Sequence, residues 1–348
     1  MYAVFVRHIF AFCCSLLFGF YLVPIIIRAA LRIGFVDSPD GRLKNQKSPV
    51  PYLGGIAIFL PFITTLGLCY PFQNQMLWLL LGTTSLLFIG LIDDINILKP
   101  RQKFFGQFLA VLCFLKGGFS LKNDFFTSIP NIFLSGFWML SVINAFNLID
   151  VMDGLCTTVA LCSACIFGTL AILNNNYSVS VLVAAFIGSL LSFLWYNRPP
   201  ARIYLGDAGS LFIGGFLASL PFVVSWDTSL FASNSIVHQR HFFAGFLKPL
   251  SEFFFIPCMI LAIPLFEGLG LFFIRISLGL PFYNGSPHHF ALYLQRKGWN
   301  KEKILLFVVL LSLIIGSLVF LFIKQYLSFG ALLLIDLAII ILWTRIIY

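Results

Sequence analysis

The chain has 348 residues, of which 60% are apolar and 10% charged, and its mean hydropathy is +0.98. A soluble domain is about half apolar and about a quarter charged, so this composition excludes a soluble globular protein, a disordered chain and a disulfide framework. The formal net charge of +9 comes from 22 basic and 13 acidic residues; in a membrane protein such an excess reports topology, and we expect no nucleic-acid partner.

Long unbroken apolar runs predict membrane-spanning helices. A β-barrel would instead show stretches of about ten residues that alternate in polarity. A spanning helix needs about 20 mostly apolar residues, which predicts an all-α, polytopic integral membrane protein with about 10–11 spanning helices in one membrane-embedded domain, 1–348. The predicted spans are 9–27, 52–70, 77–92, 104–121, 130–146, 155–173, 178–196, 209–226, 251–274, 304–323 and 328–344.

Lys and Arg are distributed unevenly over the loops between these spans. One alternate set of loops, together with Arg345, holds 16 of the 22 basic residues. Cytoplasmic loops carry an excess of Lys and Arg, so we expect these loops in the cytoplasm and the N-terminus outside, in the cell inner (plasma) membrane. Eight of the 13 acidic residues fall on the same face: Asp37, Asp40, Asp93, Asp94, Asp150, Asp153, Asp207 and Glu302.

The first two acidic segments on this face differ in character. The segment Asp37 to Gly41 is typical of a turn with an Asp cap, which favours a structural role. Asp93 and Asp94 are adjacent carboxylates, which repel each other and are a poor choice merely to end a helix. A divalent cation or a proton would relieve that repulsion, and the basic residues that follow, as far as Lys103, supply cations for the acids or for a phosphate.

A third segment repeats polar residues at three-residue spacing: Asn144, Asn147, Asp150 and Asp153. On a helix this spacing forms a polar stripe along one flank. Amide and carboxylate oxygens suit a hard cation such as Mg²⁺. The alternative is interhelical hydrogen bonding by the Asn residues and a loop at Asp153-Gly154, which explains the two Asn better than the two Asp.

A fourth segment surrounds Asp207 with glycines before an apolar run. Gly206 permits close backbone approach, and the following helix N-terminus would offer free N–H groups to an anion. Arg202 would then be a phosphate partner. The alternative is that Asp207 simply caps the helix.

A fifth segment, 284–292, contains the adjacent histidines His288 and His289 after a Ser-Pro turn. Such residues titrate near neutral pH and can hold a phosphate. Surface histidines without a role are the alternative. The polar segments from Asp93 onwards nevertheless lie on one membrane face, which predicts an active site built from cytoplasmic loops.

Two classes of function remain. A phosphoryl-transfer enzyme would use Mg²⁺, with Mn²⁺ as a substitute, bound by carboxylates, and would bind phosphates with Arg, Lys and His. A cation-coupled transporter would place its acids near the bilayer midplane, often in repeated halves. Here the acids lie at helix ends, and Glu267 is the one candidate for a midspan acid. The enzyme is the favoured interpretation.

Three motifs carry a family resemblance by their order and separation: Gly90-Leu-Ile-Asp-Asp94, Asn144-Ala-Phe-Asn-Leu-Ile-Asp150 with Asp153-Gly154, and Gly206-Asp-Ala-Gly-Ser210. They closely resemble those of the polyprenyl-phosphate N-acetylhexosamine-1-phosphate transferases. Ser48-Pro49 and Pro51–Ile56 look like an early motif of that family, so the likeness runs from about residue 35 to 303.

The resemblance implies a reaction and a set of roles. Undecaprenyl phosphate would attack the β-phosphate of a UDP-amino sugar and release UMP, either in one step or through an aspartyl phosphate. Asp207 and Asn147 would bind Mg²⁺. Asp93 would be the base for the lipid phosphate, and Asp94 would hold the site or the metal.

The remaining roles concern the substrates. Asp150 and Asp153 would line the nucleotide-sugar site, and His289 with His288 would contact the sugar phosphate. Lys103 looks placed for a phosphate. The other substrate-binding candidates are Asn144, Arg202, Gly206 and Ser210. Membrane helices can dimerise through any apolar face, so a homodimer stays open.

The sequence departs from the family pattern at three points. Val151 stands where the family usually has Gly. A β-branched residue in place of Gly favours a helical conformation at this point. The segment 284–292, which we call the histidine loop, contains fewer histidines than is usual in the family. Glu267 stands where the family usually has Asp. The transferases of phospho-MurNAc-pentapeptide usually show three consecutive histidines and a Thr in the second motif. This chain has neither, which favours a GlcNAc-type donor over the pentapeptide substrate.

Overall fold

The structure is a computed structural model that describes residues 2–37, 49–70, 72–121, 128–224, 255–281, 286–324 and 326–347. Several predictions fall outside these residues: the turn at 38–41, Ser48 of the early motif, the span ends at 225–226 and 251–254, and Asn284-Gly285. Asp37 itself is a buried strand residue.

Helices form nearly all of the described chain, which confirms the all-α prediction. They are α1 (Tyr2–Ile33), α2 (Gly54–Cys69), α3 (Asn74–Ile95), α4 (Pro100–Lys116), α5 (Ser128–Ile149), α6 (Leu155–Leu173), α7 (Tyr177–Asn197), α8 (Gly206–Ser219), α9 (Ile256–Ile260), α10 (Ala262–Ser277), α11 (Phe290–Arg296), α12 (Lys301–Ile323) and α13 (Phe329–Ile347). Two short strands, β1 (Val36–Asp37) and β2 (Val50–Pro51), pair antiparallel. Six of the described helices are long and apolar enough to cross a membrane.

Two helices extend further toward the predicted loop between them than expected. α3 continues to Ile95, so Asp93 and Asp94 lie in its last turn. α4 begins at Pro100, which has no N–H to leave unpaired in the first turn of a helix, and this puts Lys103 in that first turn. The acids and the lysine therefore stand on helices that are anchored in the bundle.

The predicted polar stripe is only half helical. α5 ends at Ile149, and the Val151 N–H donates to the Ile149 carbonyl in a turn. Gly154, with φ of +73°, completes the turn in the left-handed region that favours glycine. Asp150 and Asp153 thus leave the helix that carries the two Asn residues, and the expectation that Val151 continues the helix is wrong.

The predicted span at 251–274 is interrupted in its described part. Its helix breaks at Leu261 into α9 and α10, and α10 continues to Ser277. The loop predicted after it contains the short helix α11.

α8 is the central helix of the bundle, and its residues from Ala208 to Ser219 are all buried. α2, α3 and α5 pack against it. Rings of three helices meet there: Phe216 lies 5.3 Å from Phe62 and 4.1 Å from Phe186 between ring centroids. Lipid tails are as apolar as these rings, so close packing rather than exclusion from water holds them together.

Gly90 brings the backbones of α3 and α8 into contact. A Cβ atom at this position would lie 2.4 Å from the backbone of Asp207 and Ala208, which no side chain can occupy. The C-terminal turn of α3 and the N-terminal turn of α8 are therefore pressed together, and each of them carries conspicuous acids.

Candidate active site

The Lys103 ammonium is the centre of a group of polar side chains from four helices. Its Nζ lies 2.8 Å from Asp93 Oδ2 on α3, 2.8 Å from Asp207 Oδ2 on α8 and 3.0 Å from Asn147 Oδ1 on α5. The structure thus unites one member of each of three polar segments around a residue of α4. We call these four residues the lysine cluster.

Neighbouring contacts fix the amide and one acid of the lysine cluster. The Asn147 Nδ2 donates to Asp207 Oδ1 and, at 3.0 Å, to the hydroxyl of Ser210. Ser210 is fully buried, so its role in the structure is to orient Asn147. On α3, Asp93 Oδ1 accepts the Leu98 N–H at 2.6 Å, so both oxygens of this buried acid are engaged.

Asp94 caps α8 from another helix. Its two carboxylate oxygens accept the N–H groups of Asp207 at 2.8 Å and of Ala208 at 3.1 Å. These are the free N–H groups that the sequence suggested for a bound anion, and the anion is a side chain of this chain. Gly206, with φ of +71°, starts the helix immediately beside Asp94.

The carboxylates of Asp93 and Asp94 consequently bind different partners. One is neutralised by Lys103 and the other by the positive end of α8. The repulsion that suggested a shared cation is relieved by two separate partners.

Asn144 lies one turn before Asn147 on α5 and pairs with α4. Its Nδ2 donates to Gln107 Oε1 at 2.9 Å, and Gln107 Nε2 donates back to its oxygen at 3.3 Å. Gln107 is 1% exposed. This pair matches the alternative of interhelical hydrogen bonding rather than direct substrate contact.

Asp150 has its carboxyl uncommitted beside the lysine cluster. Among the residues that the structure describes, none forms a hydrogen bond or an ion pair with it. Burial, and then the nearby carboxylates of Asp207, Asp94 and Asp153, raise the pKa of Asp150 well above its usual range. A cationic ligand or a donor group of a substrate would relieve this unfavourable environment.

Asp153 faces a different lysine. Its Oδ2 lies 2.8 Å from Lys301 Nζ at the start of α12 and 3.4 Å from the Ala201 N–H that donates to it. Asn197 joins the same region, because its oxygen accepts from the Gly154 N–H and the Thr157 hydroxyl, both at 3.1 Å. The turn at the end of α5 is thereby held against α7 and α12.

Tyr204 and Arg202 occupy the loop that leads into α8. The Tyr204 N–H donates to the Pro51 carbonyl at 2.8 Å, and its carbonyl accepts the Gly54 N–H at 3.1 Å. Burial, with the charges of Asp153 and Asp37, raises the pKa of Tyr204 to about 12. Arg202 is exposed in a cleft between α7 and α12, and no contact within the described ranges joins its side chain to the lysine cluster.

His289 is held by the acid that had suggested a transporter. Its Nδ1 lies 3.0 Å from Glu267 Oε1 on α10, and the Phe290 N–H donates to both Glu267 oxygens at 3.2 and 3.4 Å. Glu267 is 3% and His289 6% exposed. Glu267 therefore fastens the histidine loop. In the described part of the chain, no hydrogen bond or ion pair links His288 or His289 to the lysine cluster.

Replacing Glu267 with alanine is expected to loosen this loop. The buried Phe290 N–H and His289 Nδ1 would lose their acceptor, at a cost of about 2–3 kcal/mol. Hydrogen exchange of the 286–296 amides in detergent should rise at least tenfold. Glu302→Ala, an exposed acid on α12, is the matched control, and equal exchange in both variants would contradict the role of Glu267.

The oxygen atoms of the lysine cluster are of the kind that Mg²⁺ prefers. Carboxylate oxygens of Asp93 and Asp207 and the amide oxygen of Asn147 already converge on one cation, the Lys103 ammonium, and hard divalent cations bind such oxygens. Across the described residues, no three His, Cys, Asp or Glu side chains form a metal site by themselves. The residues fit Mg²⁺ on the condition that Lys103 yields some of these oxygens.

Sequence reasoning missed four partners of the site: Gln107, Asn197, Lys301 and the Glu267 link to His289. One of them had a usable signal. Lys103 and Gln107 are four residues apart on α4 and so share a face, as Asn144 and Asn147 do on α5. The other partners come from distant segments, and no local pattern marks them.

Comparisons with known proteins find similar sequences. A profile of glycosyl transferase family 4 matches residues 76–225, which include the whole lysine cluster. A probable undecaprenyl-phosphate N-acetylglucosaminyl 1-phosphate transferase of Bacillus subtilis is 28% identical over 322 residues, covering 89% of this chain and 83% of the relative.

Relatives of a second kind match as well. A phospho-N-acetylmuramoyl-pentapeptide-transferase of Endomicrobium trichonymphae is 34% identical over 261 residues, covering 62% of this chain and 72% of the relative. Another, of Staphylococcus saprophyticus, is 28% identical over 332 residues, covering 87% of this chain and 95% of the relative.

Proposed function

Because this chain belongs to glycosyl transferase family 4, the family of polyprenyl-phosphate sugar-1-phosphate transferases, we propose that it transfers GlcNAc-1-phosphate from UDP-GlcNAc to undecaprenyl phosphate. An oxygen of the lipid phosphate attacks the β-phosphorus of the donor. The bond between that phosphorus and the bridging oxygen breaks, and UMP leaves. This would be the first membrane step in the synthesis of a cell-envelope glycan.

The observation that carries this proposal is the lysine cluster. Phosphoryl transfer needs fixed positive charge near the phosphates and oxygen ligands for a metal, and the cluster offers both at the ends of membrane helices. Lys103, held by Asp93 and Asp207, is the group that pairs with the donor diphosphate. Asp150, whose carboxyl has no partner among the described side chains, is available to the nucleotide sugar.

Asp207 and Asn147 are the proposed ligands of Mg²⁺. The metal would supply charge neutralisation of the diphosphate. Asp94 keeps Asp207 in place by capping its helix, and Ser210 keeps the Asn147 amide turned toward it. Asp93 is our candidate base for the lipid phosphate. This role requires that Lys103 moves away from Asp93 Oδ2.

The choice of GlcNAc rests on the histidine loop. The sequence there is Ser-Pro-His-His-Phe, whereas pentapeptide transferases usually carry three consecutive histidines. The Bacillus subtilis relative, whose name specifies N-acetylglucosamine, also spans 89% of this chain. The second candidate is transfer of phospho-MurNAc-pentapeptide, which the 34% identical relative favours.

The test is UMP release by the purified protein in detergent. It is given undecaprenyl phosphate and either UDP-GlcNAc, UDP-GalNAc or UDP-MurNAc-pentapeptide, each with Mg²⁺, with Mn²⁺ and with a chelator. We expect metal-dependent UMP from UDP-GlcNAc. Release of UMP from the pentapeptide donor alone would show that phospho-MurNAc-pentapeptide is the transferred group. Undiminished UMP release in the presence of the chelator would exclude a metal requirement.

The membrane orientation is part of the proposal. The nucleotide sugar is cytoplasmic, so the end of the bundle with the lysine cluster would face the cytoplasm, and the excess of Lys and Arg in its loops supports this. The N-terminus would then lie outside, in the inner membrane.

Cysteine labelling checks this orientation. In a background without the eight native cysteines, Lys324→Cys is expected to react in intact cells with a reagent that cannot cross membranes, and Arg101→Cys only after lysis. Both positions are exposed and lose one positive charge, so the pair is matched. The opposite pattern would invert the orientation.

A further inference from the structure

A cleft of about 460 Å³ opens beside the site, between the end of α7, the loop after it and the start of α12. Its lining includes Trp195, Arg198 and Arg202, together with Glu302 and Leu305 of α12. No step of the proposed reaction uses this cleft.

The cleft carries unneutralised positive charge. Arg198 and Arg202 are both exposed, and within the described ranges neither forms an ion pair with a carboxylate. The Arg198 guanidinium lies 3.9 Å from the centre of the Trp195 ring, a cation–π contact that orients it without neutralising it. Glu302 is the one acid on the walls, so the lining has an excess of one positive charge.

The cleft also lies at a boundary between polar and lipid-exposed surface. α7 meets the length and composition of a membrane span, and its described end is Asn197. Trp195, two residues earlier, is 52% exposed, and Leu306 on α12 is 58% exposed. Tryptophan at a helix end is typical of the level of lipid headgroups. A ligand here would meet two guanidinium groups and the apolar side chains of Trp195 and Leu305.

We propose that this cleft binds an anionic phospholipid, with its phosphodiester between Arg198 and Arg202 and its acyl chains along Trp195 and Leu305. The guanidinium fork matches phosphate oxygens, and one negative charge balances the excess of the lining. Phosphatidylglycerol has this charge. Phosphatidylethanolamine, being neutral overall, would leave the excess in place.

The bound lipid would hold the loop that precedes α8. Arg198 is the first residue of this loop and Arg202 the fifth, and the Arg202 N–H donates to the Tyr196 carbonyl at 2.8 Å. The same loop contacts Asp153 through the Ala201 N–H. This loop thus carries the two arginines of the lipid site and leads directly into α8, which carries Asp207 of the lysine cluster.

Native mass spectrometry of the delipidated protein tests the proposal without any enzymatic readout. The full chain in detergent is titrated with phosphatidylglycerol, phosphatidylethanolamine and phosphatidylcholine of identical chains. We expect one phosphatidylglycerol to bind at least tenfold more tightly than the other lipids. Arg198→Gln/Arg202→Gln should lose that preference, and Arg32→Gln/Arg101→Gln, exposed arginines outside the cleft, should keep it.

A further variant distinguishes loss of the lipid site from a folding defect. Glu302→Gln retains both arginines and removes the negative charge, so its affinity for phosphatidylglycerol should rise at least twofold. Unchanged or weaker binding would contradict the charge argument. If both double arginine variants lost the preference for phosphatidylglycerol equally, the lipid would be attracted to the basic surface in general and the cleft would not be its site. If the wild-type protein bound phosphatidylethanolamine with equal affinity, specificity for an anionic lipid would be excluded.

Inorganic phosphate and UMP separate a lipid from a soluble anion. In the same titration, millimolar amounts of either are expected to leave lipid binding unchanged, because they lack the acyl chains that contact Trp195 and Leu305. Displacement of the lipid by either one would reassign the cleft to a soluble phosphate and overturn the proposal.

Discussion

Asp207→Ala is expected to reduce UMP release by about three orders of magnitude, which corresponds to about 4 kcal/mol of transition-state stabilisation. The substitution removes one oxygen ligand of the proposed metal, and it leaves Lys103 paired with Asp93 and Asn147 alone. Both losses weaken the charge complementarity to the diphosphate. UMP release is measured with UDP-GlcNAc and Mg²⁺ at saturating lipid phosphate.

A binding measurement separates loss of the metal from loss of the fold. Mg²⁺ affinity by calorimetry in detergent should fall at least tenfold in Asp207→Ala, and the far-ultraviolet circular dichroism should be unchanged, because the side chain is 33% exposed. Glu302→Ala is the control for removal of an acid at the start of a helix. Activity within tenfold of wild type would remove Asp207 from the metal site.

The second large effect is expected at Asp93. Asp93→Asn preserves the shape of the side chain and an acceptor for the Leu98 N–H, but it removes the charge that faces Lys103 across 2.8 Å. A lost base costs about 10²–10⁴ in rate. UMP release at saturating substrates should therefore fall by at least two orders of magnitude, and a variant within threefold of wild type would end the proposed role.

Lys103→Gln distinguishes a base from a positioning residue. If Asp93 acts only by holding Lys103, the double variant Asp93→Asn/Lys103→Gln should be no slower than the slower single variant, because residues that act as a unit are not additive. If Asp93 takes a proton, the double variant should be slower still. In that case the acidic limb of the pH–rate profile should also vanish in Asp93→Asn.

Sequence predicted the helical segments and the acids more successfully than it predicted their partners. Apolar runs locate membrane spans because the bilayer imposes a length, and the structure has a described helix in each predicted span. The acids Asp93, Asp207 and the amide Asn147 were singled out one by one, and the structure joins them. The sequence offers Lys103 as a cation for the neighbouring acids or for a phosphate, and the structure pairs it with Asp93. Its contacts with Asp207 and Asn147 are not foreseen.

Two expectations fail for different physical reasons. The α8 N-terminus was expected to bind a foreign anion, whereas Asp94 of α3 occupies it. The three-residue spacing was extended through Asp150 and Asp153, whereas Gly154 and its turn end the helix earlier. The first outcome depends on a contact between segments far apart in the chain, about which local patterns contain no information. The second has a local signal, because Gly154 favours the turn, and it matches the alternative of a loop at Asp153-Gly154.

The contact at Gly90 determines how the site can respond to its substrates. α3 and α8 touch backbone to backbone there, and Asp94 ties their ends together, so Asp93, Asp94 and Asp207 belong to one rigid body. Closely packed interiors do not deform gradually. Adjustment of the site to the donor is then expected from the long, rotatable side chains of Lys103 and Lys301, which pair with two of these acids and with Asp153. Catalysis would proceed with stationary acids and moving lysines.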